Sequence, residues 1–421
     1  MLAHSPPFPL VIDYLDEGSN IAAEDEEGIS LALEQSRRIR CIRLGLSGLD
    51  LQKFAMAIDD ELPVLEYLVL VTGRMDDTTL VFPETIQAPH LRHLVLMGVA
   101  PPIGSQLLTT AMGIVTLCLF MDSSSTYLNP NHLLQWISLL PQLETLVITS
   151  FPDRLAEMQL LYMPTITYAT FPNLRLLSFQ GASAFLEVLV CQIATPRLER
   201  FHIVFYEHSA FSIPCLAQFM DTTENQKLRF DHAKFGFSEG RLRVETYLHE
   251  ENRRCSFSVS VFFTSVDNSQ VDGNISSMAK IVDELGQAFS AVEHLILEHE
   301  EPEDGWSSEE DSVDVDDTEW HKLLRPFCNV KNLHVKYGLV EDFSRYLLWN
   351  HGELPSEILP KLQELTYSGS VIAGGGFTSF VDARQKDGHP VSLVRRSPSP
   401  SPSLTSDQVR IEREFWLDES D

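Results

Sequence analysis

Ten phrases spread along this chain each set an apolar residue three and five positions ahead of two more. That phrase constrains the fold more than any other feature of the sequence. The stretch LPVLEYLVL carries it as Leu65-x-x-Leu68-x-Leu70. It recurs as Leu91-x-x-Leu94-x-Leu96, Ile114-x-x-Leu117-x-Leu119, Leu143-x-x-Leu146-x-Ile148, Leu174-x-x-Leu177-x-Phe179 and Leu198-x-x-Phe201-x-Ile203. Upstream stands Ile39-x-x-Ile42-x-Leu44. Downstream come Val292-x-x-Leu295-x-Leu297, Val330-x-x-Leu333-x-Val335 and Leu362-x-x-Leu365-x-Tyr367. The closing alternation of each phrase suits a short strand with one buried face. Recurrence at spacings of roughly 23 to 38 residues, outside the one long interval from Leu198 to Val292, marks a repeat array.

One such unit cannot bury its own apolar strand face, whereas stacked neighbours can. The expected fold is therefore α/β: an irregular leucine-rich-repeat solenoid, with a parallel strand layer and helices or loops on the outer face. Three residues beyond the last strand leucine a regular repeat places Asn or Cys. This chain has Gly73, Val99, Phe151 and Ala182 there, so variable curvature is expected.

Helical spacing appears between the phrases. Leu49–Ile58 places Leu51, Phe54, Ala55 and Ile58 on one side, and Asn131–Leu140 follows Pro130, a residue suited to a first helical turn. Ile213–Met220 and Ile275–Phe289 read the same way. Residues 1–36 form an N-terminal capping segment, in which Glu24–Glu27 supply an acidic first turn to a helix. The array then runs over residues 37–394. Between Lys227 and Val266 the phrase falters. LRFDHAKFGF and RCSFSVSVFF alternate strictly and predict two further strands.

Residues 298–319 are acidic and poor in apolar side chains, which predicts a disordered insertion. Ser307, Ser308 and Ser312 stand there among carboxylates, a context acidophilic kinases favour. Residues 395–421 form a disordered tail containing SPSPSPS, in which Ser397 and Ser399 precede prolines. These five serines are candidate phosphorylation sites. Gly374–Gly376 reads as a flexible turn rather than a phosphate cradle.

Lys+Arg 31 against Asp+Glu 60 gives a formal charge of −29, which disfavours nucleic acid and anionic membranes as partners. The six cysteines are scattered without a CxxC, as in a reduced, intracellular protein, cytoplasmic or nuclear. No apolar run nears the ~20 residues that span a bilayer. Nucleotide-binding, zinc-protease and serine-hydrolase motifs are missing, and the histidines form no metal-like cluster, so neither cofactor nor catalysis is expected.

An array instead offers a surface. Strand residues between the inward leucines point outward. In order these are Cys41 and Arg43; Tyr67, Val69 and Val71; His93, Val95 and Met97; Thr116, Cys118 and Phe120; Thr145, Val147 and Thr149; Arg200 and His202. Val69, Val95, Met97, Phe120 and Val147 are expected to form an exposed apolar stripe. With Tyr67, His93, Arg200 and His202 they make up the candidate protein-binding face.

The opening segment PLVIDYLDEGSNIAAEDEEGISLALEQSRRIRCIRLGL resembles the region after the F-box in basidiomycete fungal F-box proteins. The closing SGSVIAGGGFTSFVDARQKDGHPVSLVRR resembles their last repeat. The resemblance implies a receptor whose F-box docks a Skp-type adaptor of a cullin ubiquitin ligase while its repeats recruit a target. The stretch before Val11 is too short for an F-box, and Leu354–Leu359, which mimics an F-box start, runs directly into a repeat strand. The expectation is a recognition half without the adaptor contact. A vestigial fragment, or an enzyme with its site in 227–266, are the alternatives.

Overall fold

The computed structural model describes residues 8–15, 21–58, 61–72, 84–99, 106–121, 129–150, 168–207, 212–221, 230–238, 241–247, 255–263, 271–299, 317–336, 338–348, 357–368 and 374–396. The first strands are β1 (Leu10–Leu15), β2 (Ile39–Leu46), β3 (Tyr67–Thr72), β4 (His93–Met97), β5 (Thr116–Met121) and β6 (Thr145–Ser150). Next come β7 (Ala169–Thr170), β8 (Leu176–Gly181), β9 (Ile193–Ala194), β10 (Arg200–Glu207), β11 (His232–Ser238), β12 (Arg241–Tyr247) and β13 (Cys255–Phe263). The last are β14 (His294–His299), β15 (Asn332–Lys336), β16 (Glu364–Ser368) and β17 (Ser392–Arg395).

Among the described residues, fifteen of these strands form one open sheet, and β7 pairs with β9 beside it. The fold is α/β. Neighbours follow chain order from β1 to β10, apart from the separate β7–β9 pair, and again from β14 to β17. All of those pairings are parallel.

The phrase explains the register. Its middle residue builds one column across the sheet: Ile42, Leu68, Leu94, Leu117, Leu146, Leu177 and Phe201. Its last residue builds a second: Leu44, Leu70, Leu96, Leu119, Ile148, Phe179 and Ile203. The leading residues, from Ile39 to Leu362, are buried where the chain turns into each strand. Helices cover this face. Leu51 and Phe54 of helix Gly48–Ala57, Leu133 and Ile137 of Pro130–Ile137, and Phe343 of Leu339–Leu348 all join the same apolar core.

Local chemistry starts these helices where expected. Ser47 accepts from the Asp50 backbone N–H at 3.2 Å, and Asn129 accepts from Asn131 N–H at 2.9 Å just ahead of Pro130. Asparagine ties between neighbouring units sit before the strand rather than after it. Asn173 donates to Pro141 O at 3.0 Å and Asn329 to Ser290 O at 2.6 Å.

Four expectations are corrected here. First, the irregular segment holds three strands, not two. β11, β12 and β13 form an antiparallel meander laid into the sheet in the order β10-β13-β12-β11-β14. The two outer strands of the meander run parallel to β10 and β14, so only β12 is reversed among the described residues. A reversed strand keeps its side-chain parity when its register is kept, and Leu242, Val244 and Thr246 stay on the core face. Thr246, fully buried there, donates to Phe257 O at 3.1 Å.

Second, the N-terminal segment does more than cap. Leu10–Leu15 adds β1 to the sheet beside β2, because its alternation sends Ile12 and Tyr14 to the core side. Third, the disorder expected over 298–319 and 395–421 does not hold at the edges of those segments. Glu298 and His299 complete β14, Asp317 to Glu319 open helix Asp317–Leu324, and Arg395 closes β17. Residues 300–316 and 397–421, with all five candidate phosphorylation serines, lie outside the described residues.

Fourth, Gly374–Gly376 begins helix Gly374–Lys386 and is no flexible turn. Gly376 is needed for contact. A Cβ there would overlap Ser344 O and Oγ and stand 2.8 Å from the Ser344 carbonyl carbon. The same helix buries Arg384, whose guanidinium donates to Ile358 O at 2.9 Å and Pro360 O at 3.3 Å. Burial lowers its pKa from the usual guanidinium value.

Candidate functional site

The helices occupy one face of the sheet, so the other face is where strand side chains stand without a helix over them. Its residues line up in rows set by the strand register. One row runs Cys41, Tyr67, His93, Thr116, Thr145, Leu176 and Arg200. The next runs Arg43, Val69, Val95, Cys118, Val147, Ser178 and His202, then Ser258, Glu245, Lys234, Ile296 and His334. A third holds Met97, Phe120, Thr149, Gln180, Val204, Ser260, Arg243, Gly236, Glu298 and Lys336. All nine candidate binding residues therefore share this face.

The face changes character along its length. Near β1 it is charged: Arg43 pairs with Asp13 at 3.5 Å. On β3 and β4 the Tyr67 and His93 rings stack at 4.4 Å, 2° from parallel. An apolar cluster follows. Cys118, Val147 and Leu176 are buried, with Val95 and Phe120 packed against them. This corrects the expected exposed stripe. Val69 is 8% exposed and Val147 2%, while Val95, Met97 and Phe120 are half-buried. Neighbouring parallel strands lie only ~4.8 Å apart, so bulky side chains in one row shield each other. Burial pushes the Cys118 thiol up to about 12.

Next comes a polar belt. Thr149 donates to Gln180 Oε1 at 3.5 Å, and Gln180 in turn donates to the Tyr206 hydroxyl. His202 Nδ1 and Ser258 Oγ lie 2.9 Å apart.

Beyond the belt, β11, β12, β14 and β15 carry an ionic network. Lys234 Nζ lies 2.5 Å from Glu298 Oε1 and 4.0 Å from Glu245 Oε2. Lys336 Nζ lies 3.2 Å from Glu298 Oε2, and Arg243 Nη1 is 3.5 Å from Glu245 Oε1. The Tyr247 hydroxyl donates to Glu245 Oε2 at 2.6 Å. Arg243 and Glu298 are buried. Charges taken this far from water persist only when paired, and the network pairs them. Beside it, His334 meets Ser368 Oγ at 3.0 Å. Burial, then the Lys336 and Arg396 charges, hold the His334 pKa down at about 4. At the rim, His232 and His294 stack at 4.1 Å, with Asp231 2.8 Å from His232 Nδ1 and Asn332 2.9 Å from His294 Nδ1.

None of the network residues was singled out from the sequence. Their signal was present: in RLRVETY, Arg241, Arg243, Glu245 and Tyr247 alternate with Leu242, Val244 and Thr246. Glu298 was hidden by the acidic run that follows it.

A shallow cleft of about 510 Å³ opens below the strand starts, lined by Arg40, Val64, Glu66, His90 and Arg92. Arg40 and Glu66 neutralise each other there at 2.8 Å. Among the described residues, no three His, Cys, Asp or Glu side chains are placed to share a metal, and no helix is long and apolar enough to cross a membrane. No protein-family model matches the chain, and no curated protein matches its sequence.

Proposed function

We propose that this chain is an irregular leucine-rich-repeat solenoid that recruits another protein on its helix-free sheet face and catalyses no reaction itself. The observation that carries the reading is that face: one continuous, in-register surface running from an apolar cluster through a polar belt to an ionic network. The two apolar columns behind it support the solenoid. Aromatic and aliphatic anchors flanked by charges are what a protein partner's interface uses. Phe120 and Val95 are the anchors in this reading, and Lys336 and Lys234 set orientation. The chain's net charge makes nucleic acid and anionic lipid poor partners. The resemblance of the two end segments supports a narrower form, the target-recognition half of an F-box receptor. The concentration of ionisable groups in 227–266 favours a second reading, an enzyme, which turnover of a small molecule, lost in Glu245→Gln, would establish.

The test uses the purified chain as bait in a cell extract, in four forms. These are the wild type, Phe120→Ser, Lys336→Glu, and a helix-side control, Leu49→Ser with Met56→Ser. Leu49 and Met56 are 70% and 68% exposed on the far side of the molecule. Partners held by the wild type and the control but lost from either sheet-face variant support the proposal. Identical capture by all four folded forms sinks it.

A further inference from the structure

Helix Ser183–Val190 ends at Cys191, and helix Pro214–Asp221 carries Cys215 in its first turn. These are consecutive helices on the helical side of the sheet, leading from β8 and β10. Their sulfurs stand 3.0 Å apart, closer than unbonded sulfur atoms ordinarily rest. Both thiols are within reach of solvent, Cys191 exposed and Cys215 half-buried. Cys215 is also held in place. The Glu187 carboxylate, one turn before Cys191, accepts from Cys215 N–H at 2.7 Å and from Leu216 N–H at 2.8 Å. Glu284 accepts from Ile213 N–H, two residues before Cys215. These three bonds fix the backbone that carries Cys215 beside Cys191. Neither thiol belongs to the sheet face described above.

We propose that Cys191 and Cys215 are a reactive dithiol that closes to an intramolecular disulfide by exchange with a small-molecule disulfide such as oxidised glutathione. The Cys191 thiolate attacks one sulfur of the reagent, the reagent's S–S bond breaks, and one reduced thiol leaves. Cys215 then gives its proton to solvent and attacks the Cys191 sulfur of the mixed disulfide. The Cys191–Cys215 bond forms and the second reduced thiol departs. Two electrons pass from the pair to the reagent, and two protons complete its two thiols. Exposure makes Cys191 the attacking partner. Burial, contact with the Cys191 sulfur and the Glu187 carboxylate push the Cys215 thiol up to about 12, so Cys215 is not the first attacker, and the second step rests on the 3.0 Å approach of the two sulfurs. The closed bond joins the two helices across a 24-residue separation in the chain. It also locks the spacing of two neighbouring units beneath the polar belt.

The experiment treats the folded, fully reduced chain with oxidised glutathione, blocks remaining thiols by alkylation under native conditions, and digests with trypsin without reduction. Cleavage at arginine and lysine places Cys191 in peptide 176–197 and Cys215 in peptide 201–227. The expected product is these two peptides joined and two hydrogens lighter than their sum, as the dominant form of both. Cys215→Ser is expected to stop at a glutathione adduct on Cys191, and Cys191→Ser to leave Cys215 without an adduct. The proposal is overturned if wild-type Cys191 ends as a stable adduct, if both cysteines are recovered alkylated, or if the link joins either to Cys41 or Cys328.

Discussion

Replacing Gly376 by alanine adds one methyl group, and the geometry of helix Gly374–Lys386 decides what it costs. The helix is seated by Phe377, whose ring lies 5.1 Å from Tyr367 and 6.2 Å from Phe343. Behind it, the new Cβ would meet Ser344 O and Oγ. The hydroxyl can rotate away, but the carbonyl belongs to the backbone of helix Leu339–Leu348 and cannot. The two helices must move apart, and overpacking of this kind costs ~1–3 kcal/mol. Alanine's better helix propensity returns at most ~1 kcal/mol, leaving a net loss of roughly 1–2 kcal/mol. Gly375 is the matched control, since its Cβ would meet nothing within 4 Å. Gly375→Ala therefore keeps the propensity gain alone, up to ~1 kcal/mol of added stability. Urea denaturation followed by circular dichroism measures both. The midpoints are expected to move in opposite directions, with Gly376→Ala lower than the wild type and Gly375→Ala equal or higher. Equal midpoints for the two variants would refute the close helix contact and the placement of this last helix.

Three further outcomes follow from the sheet. Glu298→Ala strips the shared carboxylate from Lys234 and Lys336; with both lysines partly solvated the expected loss is ~2–4 kcal/mol, read as a urea midpoint, and no loss would return Glu298 to the acidic insertion. His334 titrates near 6.5 when unfolded and at about 4 when folded, so the unfolded chain binds the extra proton between those values and stability falls as pH drops through that window. Its partial exposure screens this to ~1–2 kcal/mol, and thermal melts of His334→Gln are expected to show a shallower acid slope than the wild type; parallel slopes would contradict it. Leu117→Ala is expected to lose ~2–5 kcal/mol and Phe120→Ser about half as much, because Leu117 is in the main core and Phe120 only leans on a small cluster; the reverse order in urea would mean the sheet faces are exchanged.

The core was legible because each leucine phrase states residue type and parity together. Leu65, Leu68 and Leu70 could only turn one way, and their register then placed Tyr67 and Val69 on the opposite face. The meander was harder to read for two reasons. β11 does carry the phrase, as Phe230-x-x-Ala233-x-Phe235, but with phenylalanine and alanine in the leucine positions. The larger rings fill the same core, with Phe230 6.2 Å from Phe257 and Phe235 5.7 Å from Phe289. β12 lacks the phrase because it runs backwards, and a reversed strand enters without the leading turn residue. The binding face was legible as a set of positions but not as a surface. Alternation says which way Val147 points and nothing about how closely Cys118 and Leu176 stand beside it. The ionic network depends on partners 11, 38 and 64 residues apart in sequence, Lys234 with Glu245, Lys336 with Glu298 and Lys234 with Glu298, which no local pattern joins.

The central claim is that the helix-free face of the sheet is the recruiting surface. Carbene footprinting of the wild-type chain, alone and with its captured partner, tests it most directly. Protection is expected at Val95, Met97 and Phe120 on the apolar side and at Lys234 and Lys336 on the charged side, with Leu49, Met56 and Met112 labelled equally in both states. Protection at Leu49, Met56 and Met112, with the sheet-face residues unchanged, would contradict the account.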